Sequence, residues 1–306
     1  MLNKDFLLSI TIPTYNRAKF LDDSLSSLYE QLSEGNLPVE VIISDNCSTD
    51  NTEEVVNKYI KKGFDINYIK NSSNLGMDGN FTQCFRLASG KYVWLLGDDD
   101  YLKEGSLSKI VEILRDEVYG LIHIQTNSTR NEFMTVFDHH DSYLSSISYW
   151  ITFISGNIVN SKYIKEIEFE KYFGTYFIQV PLYITAAIGE NKNLIIHEKL
   201  FLEGIDASNN GGYNIFDVFI NKYLSIWKKF VYSKKISRFF YEKEKFRLYR
   251  NFLIGYIYQF LIKREKTNFK TDHAWQIILN NYGVYPYFYL EFPIFLLKKL
   301  KERVIK

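Results

Sequence analysis

Cysteine is scarce in this chain: Cys47 and Cys84 are the two present in 306 residues. A disulfide-stapled secreted scaffold is thereby excluded, and a reducing compartment is the default. Proline is scarce too, at five residues. No apolar run approaches the roughly 20 residues that a membrane-spanning helix requires. The opening stretch MLNKDFLLSITIPTYN is apolar only briefly, stops at Pro13 and lacks a small-residue cleavage site, so it reads as a buried strand and not as a signal peptide. Net charge is small, +1. Hydrophobic residues make up 46% and charged residues 24%, the balance of a folded protein and not of a disordered one. A chain of 306 residues can form one large domain or two ordinary ones.

The small net charge hides an asymmetry. Residues 207–306 carry 19 Lys/Arg against 7 Asp/Glu, and residues 1–206 carry 18 against 29. The tail also holds 23 of the 48 Tyr and Phe. Charge and aromatic content therefore change together, near the loop-like stretch DASNNGG at 206–212. Two domains are expected, 1–206 and 207–306.

Strand-like and helix-like periods alternate through the first 125 residues. Leu7–Ile12, Val39–Ile43, Ile66–Ile69, Tyr92–Leu96 and Gly120–Gln125 read as strands, and helical spacing separates them. Asp50 followed by Glu53 predicts a capped helix start. The pattern predicts an α/β fold, an open and mostly parallel sheet with helices on both faces and ligands beyond the carboxyl ends of the strands. Ser155–Asn160 and Leu194–Leu202 are further strand candidates. Tyr176–Ile188 is a helix candidate with Pro181 forcing a kink or late start. Beyond Gly212 the chain reads as helical, over about 214–232, 237–263, 272–281 and 293–304.

Four polar loops follow the first four strands. Pro13-Thr14-Tyr15-Asn16-Arg17 offers short polar and aromatic groups that can stack on and hydrogen-bond a flat ligand. Ser44 to Asp50 puts Asp45 at a strand end, able to accept from a ligand N–H or hydroxyl. Asn74-Leu75-Gly76-Met77-Asp78-Gly79-Asn80 lets backbone approach a ligand closely. Alone, the first reads equally well as a capped turn, the second reads better as one, and the third is a weak motif. Gly97-Asp98-Asp99-Asp100 is stronger: three carboxylates end a buried apolar strand, and like charges so close need a cation or full solvation, the latter being the reading as an acidic turn that caps the next helix. Hard oxygen ligands suit Mg²⁺ or Mn²⁺ carrying a diphosphate.

Taken together, SITIPTYNRAKFL, VIISDNCSTDNT, NLGMDGN and ASGKYVWLLGDDDYL resemble the family 2 glycosyltransferases, which have the GT-A fold. The likeness covers about residues 7–115 and is nearest to bacterial surface-polysaccharide enzymes, abequosyltransferase-like members included. It implies that Pro13, Thr14, Tyr15, Asn16 and Arg17 bind the nucleotide-sugar donor, that Asp45 hydrogen-bonds its base, and that Asn74 and Gly76 border the nucleotide. Asp98 would reach the ribose, Asp99 would bind the metal, and Asp100 would face the donor sugar or hold the loop. Two departures stand out. Gly97 replaces the first acid of the family's Asp-x-Asp motif. Gln179 occupies the position of the catalytic base, and an amide takes no proton at neutral pH. Asp138 and Asp141, with His139 and His140 between them, are substitute candidates, although a solvated loop is the blander reading of all four. His197 and Cys47 read as packed residues.

The resemblance implies inverting, metal-dependent transfer from a nucleoside diphosphate sugar, with a UDP-sugar the donor expected, to a glycan or lipid-linked saccharide. The alternative is a catalytically inactive sugar-nucleotide-binding subunit that assists a partner. The tail has its own pattern: residues 222–250 hold ten Lys/Arg among interleaved aromatics, and Leu296, Leu297, Leu300 and Val304 share a helical face beside Lys298, Lys299, Lys301 and Arg303. That is how an interfacial helix is built, and it predicts peripheral contact of 222–306 with the anionic inner face of the cell membrane from a cytoplasmic protein. A basic helical subdomain whose aromatics form its own core is the competing reading. No nucleic-acid partner is expected, because the acidic front half would repel one. A homo-oligomer stays open.

Overall fold

The computed structural model describes residues 5–33, 35–126, 130–204 and 211–304, with side chains to 301. The chain divides into two compact units, 1–205 and 206–306. The expected boundary at 206/207 lies outside the described residues.

The first unit alternates as its sequence periods predict. It runs β1 (Leu8–Thr14), α1 (Ala18–Ser33), β2 (Val39–Asp45), α2 (Thr52–Lys61), β3 (Ile66–Lys70), α3 (Gly76–Leu87), β4 (Tyr92–Leu95), β5 (Tyr101–Leu102), α4 (Ser106–Asp116) and β6 (Leu121–Ile124). There follow β7 (Met134–Phe137), α5 (His140–Ile147), β8 (Asn157–Asn160), α6 (Gln179–Gly189), β9 (Asn193–Ile196) and β10 (Phe201–Leu202). Eight strands form one sheet in the order β3-β2-β1-β4-β8-β6-β9-β7. β3, β2, β1, β4, β6 and β9 point one way and β8 and β7 the other. This is the mostly parallel α/β sheet expected, with β8 inserted antiparallel between β4 and β6. Ile10, Ile12, Val41, Ile43, Trp94 and Leu96 are buried in one core with Leu21, Leu25 and Leu28 of α1.

Local chemistry moves several expected boundaries. β1 continues through Pro13 to Thr14, because its pairing with β4 ends at Thr11 and no N–H is asked of Pro13 on that side. Pro181 is the third residue of α6, inside the first turn, where its missing N–H costs no helical bond. The third loop is in fact the first turn of α3, which starts at Gly76. The capping pair at α2 does not form as a pair. The Asp50 carboxylate accepts from Thr52 N at 3.1 Å and from Ala18 N at 3.0 Å, thereby tying down the start of α1 as well, while Glu53 pairs with Lys70.

The second unit contains α7 (Leu224–Tyr232), α8 (Arg238–Leu248), α9 (Ile254–Tyr256), α10 (Ala274–Tyr282) and α11 (Pro286–Val304), with wide π turns at Asp217–Tyr223, Tyr249–Leu253 and Ile257–Ile262. Part of its aromatic set forms its core: Phe216, Tyr223, Trp227, Tyr249 and Tyr282 are fully buried. The Tyr223 hydroxyl donates to the buried Glu244 at 2.9 Å, and the Tyr249 hydroxyl donates to the Phe288 carbonyl at 2.8 Å. α11 begins earlier than expected, with Pro286 at its first position, so that Pro293 falls inside the helix. Leu290, Ile294, Leu297 and Leu300 are exposed along it. Among the described residues no helix is long and apolar enough to cross a membrane.

Candidate active site at the carboxyl rim of the sheet

The buried strand β4 delivers the acidic corner. Leu96 N donates to Thr11 O at 2.9 Å, the last ladder bond, and Asp100 N closes a turn on Gly97 O at 3.2 Å. The three carboxylates then diverge. Asp98 accepts from the Thr14 hydroxyl at 2.8 Å and from Arg17 Nε at 2.8 Å. Asp99 accepts from Arg17 Nη2 at 2.6 Å. One guanidinium thus lies across both carboxylates, itself resting on the Phe20 ring at 4.4 Å. Burial pushes the Asp98 carboxyl up to about 6, against the pull of Arg17 and Thr14.

Asp100 corrects the expectation of a trio. It is buried, accepts from the Ser155 hydroxyl and from Gly204 N at 3.3 Å, and is pushed up to about 7 by that burial. It holds the loop and does not join the other two. Ser155 also receives Gly97 N at 2.8 Å and, through its carbonyl, Trp94 Nε1 at 2.8 Å. Gly97 has a steric reason: a Cβ there would lie 2.9 Å from Asp100 Oδ2 and 3.3 Å from Ser155 Oγ. Asp99 Oδ1 would lie 3.1 Å away as well, so a side chain at the motif's first position crowds the carboxylates in the positions they hold here. Gly204 and Ser155 were not singled out from the sequence, and no motif marks them. The hairpin-like pairing of β10 with β5 carries the chain back so that Gly204 packs on the backbone of Asp99.

The loops after β1, β2 and β3 line the same rim. Tyr15 is exposed, whereas Pro13 and Thr14 are buried in β1. Asn16 has φ 53° and clips the first two loops together, donating from N to Ser48 Oγ at 2.9 Å and accepting at Oδ1 from Thr49 N at 2.7 Å. Asp45 is wholly buried. Its oxygens accept from Ser48 N at 2.8 Å and the Tyr68 hydroxyl at 2.6 Å, so in this state it braces the loop instead of presenting a free acceptor to a base. Burial and the neighbouring Asp45 push the Tyr68 hydroxyl up, keeping it a donor. Asn46, missed in the sequence, locks the third loop to the second: it donates to Asn74 Oδ1 at 2.9 Å and Gly76 O at 3.3 Å and accepts from Leu75 N at 2.7 Å. Gly76, at φ 70°, turns the chain into α3 there.

The candidates for a base fare differently. Gln179 is buried, donates to Thr152 O at 2.9 Å and leaves Oε1 with no hydrogen-bond partner. It braces the 150–156 segment from α6 and is not presented to an acceptor. Asp138 and Asp141 follow β7, not the fifth strand. β7 runs antiparallel on the outer edge of the sheet, with Phe137 opposite Asn193 at the start of β9, so its end lies at the rim opposite the acidic corner. His140 lies 3.4 Å from Asp141 there. His197 is a satisfied ring, 2.8 Å from Gln125 Oε1 and 2.7 Å from Thr135 Oγ1.

His123, at 3% exposure, is held neutral by burial, its pKa lowered to about 4. With the folded value below the unfolded one, stability is full above about pH 6.5 and drains as pH falls towards 4, by up to ~3 kcal/mol. Thermal melts between pH 7 and pH 4 check this: wild type loses stability across that window, and His123→Gln loses less of it.

Among the described residues no three His, Cys, Asp or Glu side chains converge as a metal cluster. Mg²⁺ or Mn²⁺ held partly by substrate phosphates needs only one or two carboxylates. Asp98 and Asp99 could serve as such a pair, and the Arg17 guanidinium lies across them.

An α/β rim of this kind, with an acidic corner at the end of β4, is that of the GT-A class of fold. The crystal structure of S. aureus TarS 1–349 matches it with a TM-score of 0.62 at 17% identity, over 82% of this chain and 74% of that one. The same TarS fragment in complex with UDP-GlcNAc gives a TM-score of 0.57 at 18% identity, over 82% of this chain and 72% of that one. The family model for Glycosyl transferase family 2 matches residues 9–176, more than half of the sequence, and the chain belongs to that family. Abequosyltransferase RfbV of Salmonella typhimurium is 38% identical over 139 residues, 45% of this chain and 41% of RfbV. The GalNAc(5)-diNAcBac-PP-undecaprenol beta-1,3-glucosyltransferase of Campylobacter jejuni is 29% identical over 197 residues, 62% of each chain. The match spans less than two thirds of the length of RfbV and of the Campylobacter enzyme.

Proposed function

We propose that this chain transfers a sugar, with inversion, from a nucleoside diphosphate donor, a UDP-sugar, to a hydroxyl of a glycan or lipid-linked saccharide during bacterial surface-polysaccharide synthesis. The observation that carries the reading is the corner where Asp98 and Asp99 share Arg17, beside the loops of β1, β2 and β3. The leaving nucleoside diphosphate gains negative charge as the anomeric bond breaks, and fixed positive charge at that corner lowers the barrier. Arg17 supplies one such charge. Asp99, with Asp98, would hold Mg²⁺ or Mn²⁺, which supplies further charge neutralisation when bound. Thr14 orients Asp98, Asp100 and Ser155 fix the turn, and Asn46 sets the third loop against the second. The similarity to RfbV and to the Campylobacter enzyme supports a polysaccharide role, the latter a lipid-linked acceptor, and the TarS complex supports a UDP-sugar.

Gln179 favours a second reading, a sugar-nucleotide-binding subunit without catalysis, since the residue at the base position is a buried amide. Assay of nucleoside diphosphate release from a panel of UDP-, CDP-, GDP- and dTDP-sugars, with acceptor extract and Mn²⁺, separates the two. Release of one diphosphate supports transfer. Binding without release supports the subunit.

The cytoplasmic face of the membrane is the proposed location. On α11 the exposed Leu290, Ile294, Leu297 and Leu300 lie beside Lys298, Lys299 and Lys301, a composition suited to an anionic headgroup layer. Co-sedimentation of the full chain with phosphatidylglycerol-containing liposomes at low salt, absent with phosphatidylcholine alone, is the expected result. Protein left in the supernatant with both removes the membrane role.

A further inference from the structure

Next to the acidic corner, on the side away from the nucleotide loops, a notch of about 60 Å³ is lined by His123, Ile124, Gln125, Thr126, Trp150 and Phe153. We propose that this notch, with the exposed indole of Trp150 as its platform, is the subsite that seats the acceptor's saccharide ring. The inference rests on the transferase reading above.

Position comes first. Along the rim the strand order is β3-β2-β1-β4-β8-β6. The nucleotide loops leave β1, β2 and β3, the acidic corner leaves β4, and the notch is formed where β6 ends and β8 begins. β6 and β4 point the same way and are separated by β8 alone, so at about 4.8 Å per strand the notch lies roughly 10 Å from the corner. That is the reach of one or two pyranose rings from a bond breaking at Asp99. The segment that carries Trp150 and Phe153 also carries Ser155, which holds Gly97 and Asp100. Corner and notch are therefore built on one piece of chain.

The chemistry fits a sugar. A pyranose has apolar C–H faces and a hydroxylated edge, so its receptor needs an aromatic plane flanked by amide and hydroxyl groups. Trp150 is 42% exposed, an unusual position for an indole, and its ring stacks on Tyr149 with centroids 5.5 Å apart. Gln125 and Thr126 provide the polar edge. A volume of about 60 Å³ is too small for a ring and suits one exocyclic substituent entering beneath it.

The platform is also rigid. His123 Nδ1 lies 3.0 Å from Asn157 Oδ1, and Asn157 Nδ2 donates to Phe153 O at 2.6 Å. Gln179 holds Thr152 O from the other side. The buried His123–Asn157 pair and, separately, the buried Gln179 thus fix the turn that exposes the indole. Holding a large apolar ring in water on a braced turn is what a preformed stacking site requires.

The test is saturation-transfer NMR with a panel of methyl pyranosides on wild type, Trp150→Ala and Trp150→Phe, with calorimetry of UDP and Mn²⁺ as the control for the nucleotide half. Expected are pyranoside binding to wild type, about tenfold weaker binding to Trp150→Ala, and near wild-type binding to Trp150→Phe, with similar UDP affinity throughout. Equal binding by Trp150→Ala, or a wild type that takes up UDP but none of the pyranosides, overturns the subsite. Failure of wild type to bind UDP strikes the donor reading, and the pyranoside results still decide the notch.

Discussion

Asp99→Asn is expected to lower transfer about 10²–10³-fold while leaving folding nearly intact. The substitution keeps the size of the side chain and an acceptor for Arg17 but removes its charge. The main barrier the site can address is the charge on the departing diphosphate, and loss of one electrostatic element at such a position typically costs that much. Stability moves little, because the Arg17–Asp99 pair is partly exposed and such pairs contribute on the order of 0–1 kcal/mol. Removal of divalent metal with EDTA should reproduce the loss in wild type and add little in the variant. Steady-state rates with the identified donor, beside thermal melts, check both statements. An Asp99→Asn enzyme within a few-fold of wild type would remove Asp99 from the chemistry.

Gly204→Ala should disable the same corner without touching a charged group. A Cβ on Gly204 would lie 2.1 Å from the Asp99 carbonyl oxygen and 2.6 Å from Asp99 Cβ. Backbone, and not a flexible side-chain tip, must give way, so the turn that aims Asp99 shifts. A displacement of about 1 Å at a reacting centre costs about 10²-fold. The expected signature is a fall in kcat/KM of that order with far-UV circular dichroism unchanged and a lowered Tm. Unaltered kinetics would mean that the Gly204 contact does not position the site.

Much of the fold was legible because hydrophobic periodicity marks buried parallel strands well. β1, β2, β3, β4 and β6 and the helices between them fall close to where the residues predict them, whereas the short β5 was not foreseen. What periodicity cannot encode is spatial order. β8 slides antiparallel between β4 and β6, and β7 reverses on the outer edge, which is why Asp138 and Asp141, close in sequence to the fifth strand, end at the wrong rim. The acidic corner was legible as a cluster but not as a division of labour. Asp100 turns inward because Ser155 and Gly204, distant in sequence by 55 and 104 residues, supply its partners. Gly97 leaves room for that inward turn, a packing relation invisible in the motif alone. Asp45 was recognisable at its strand end, but its bracing by Tyr68 required knowing that β3 pairs with β2. In the tail, composition offered both a membrane-facing and a core role for the aromatics, and the structure buries part of them while leaving an apolar face of α11 exposed.

Calorimetric titration of UDP into the wild-type protein, with and without Mn²⁺, bears most directly on the central claim that the Asp98–Asp99 corner holds a donor diphosphate through a divalent cation. The account predicts UDP binding that tightens at least tenfold when Mn²⁺ is present, with that gain lost in Asp99→Asn. Equal affinity in both conditions would contradict it and assign the diphosphate to Arg17 alone.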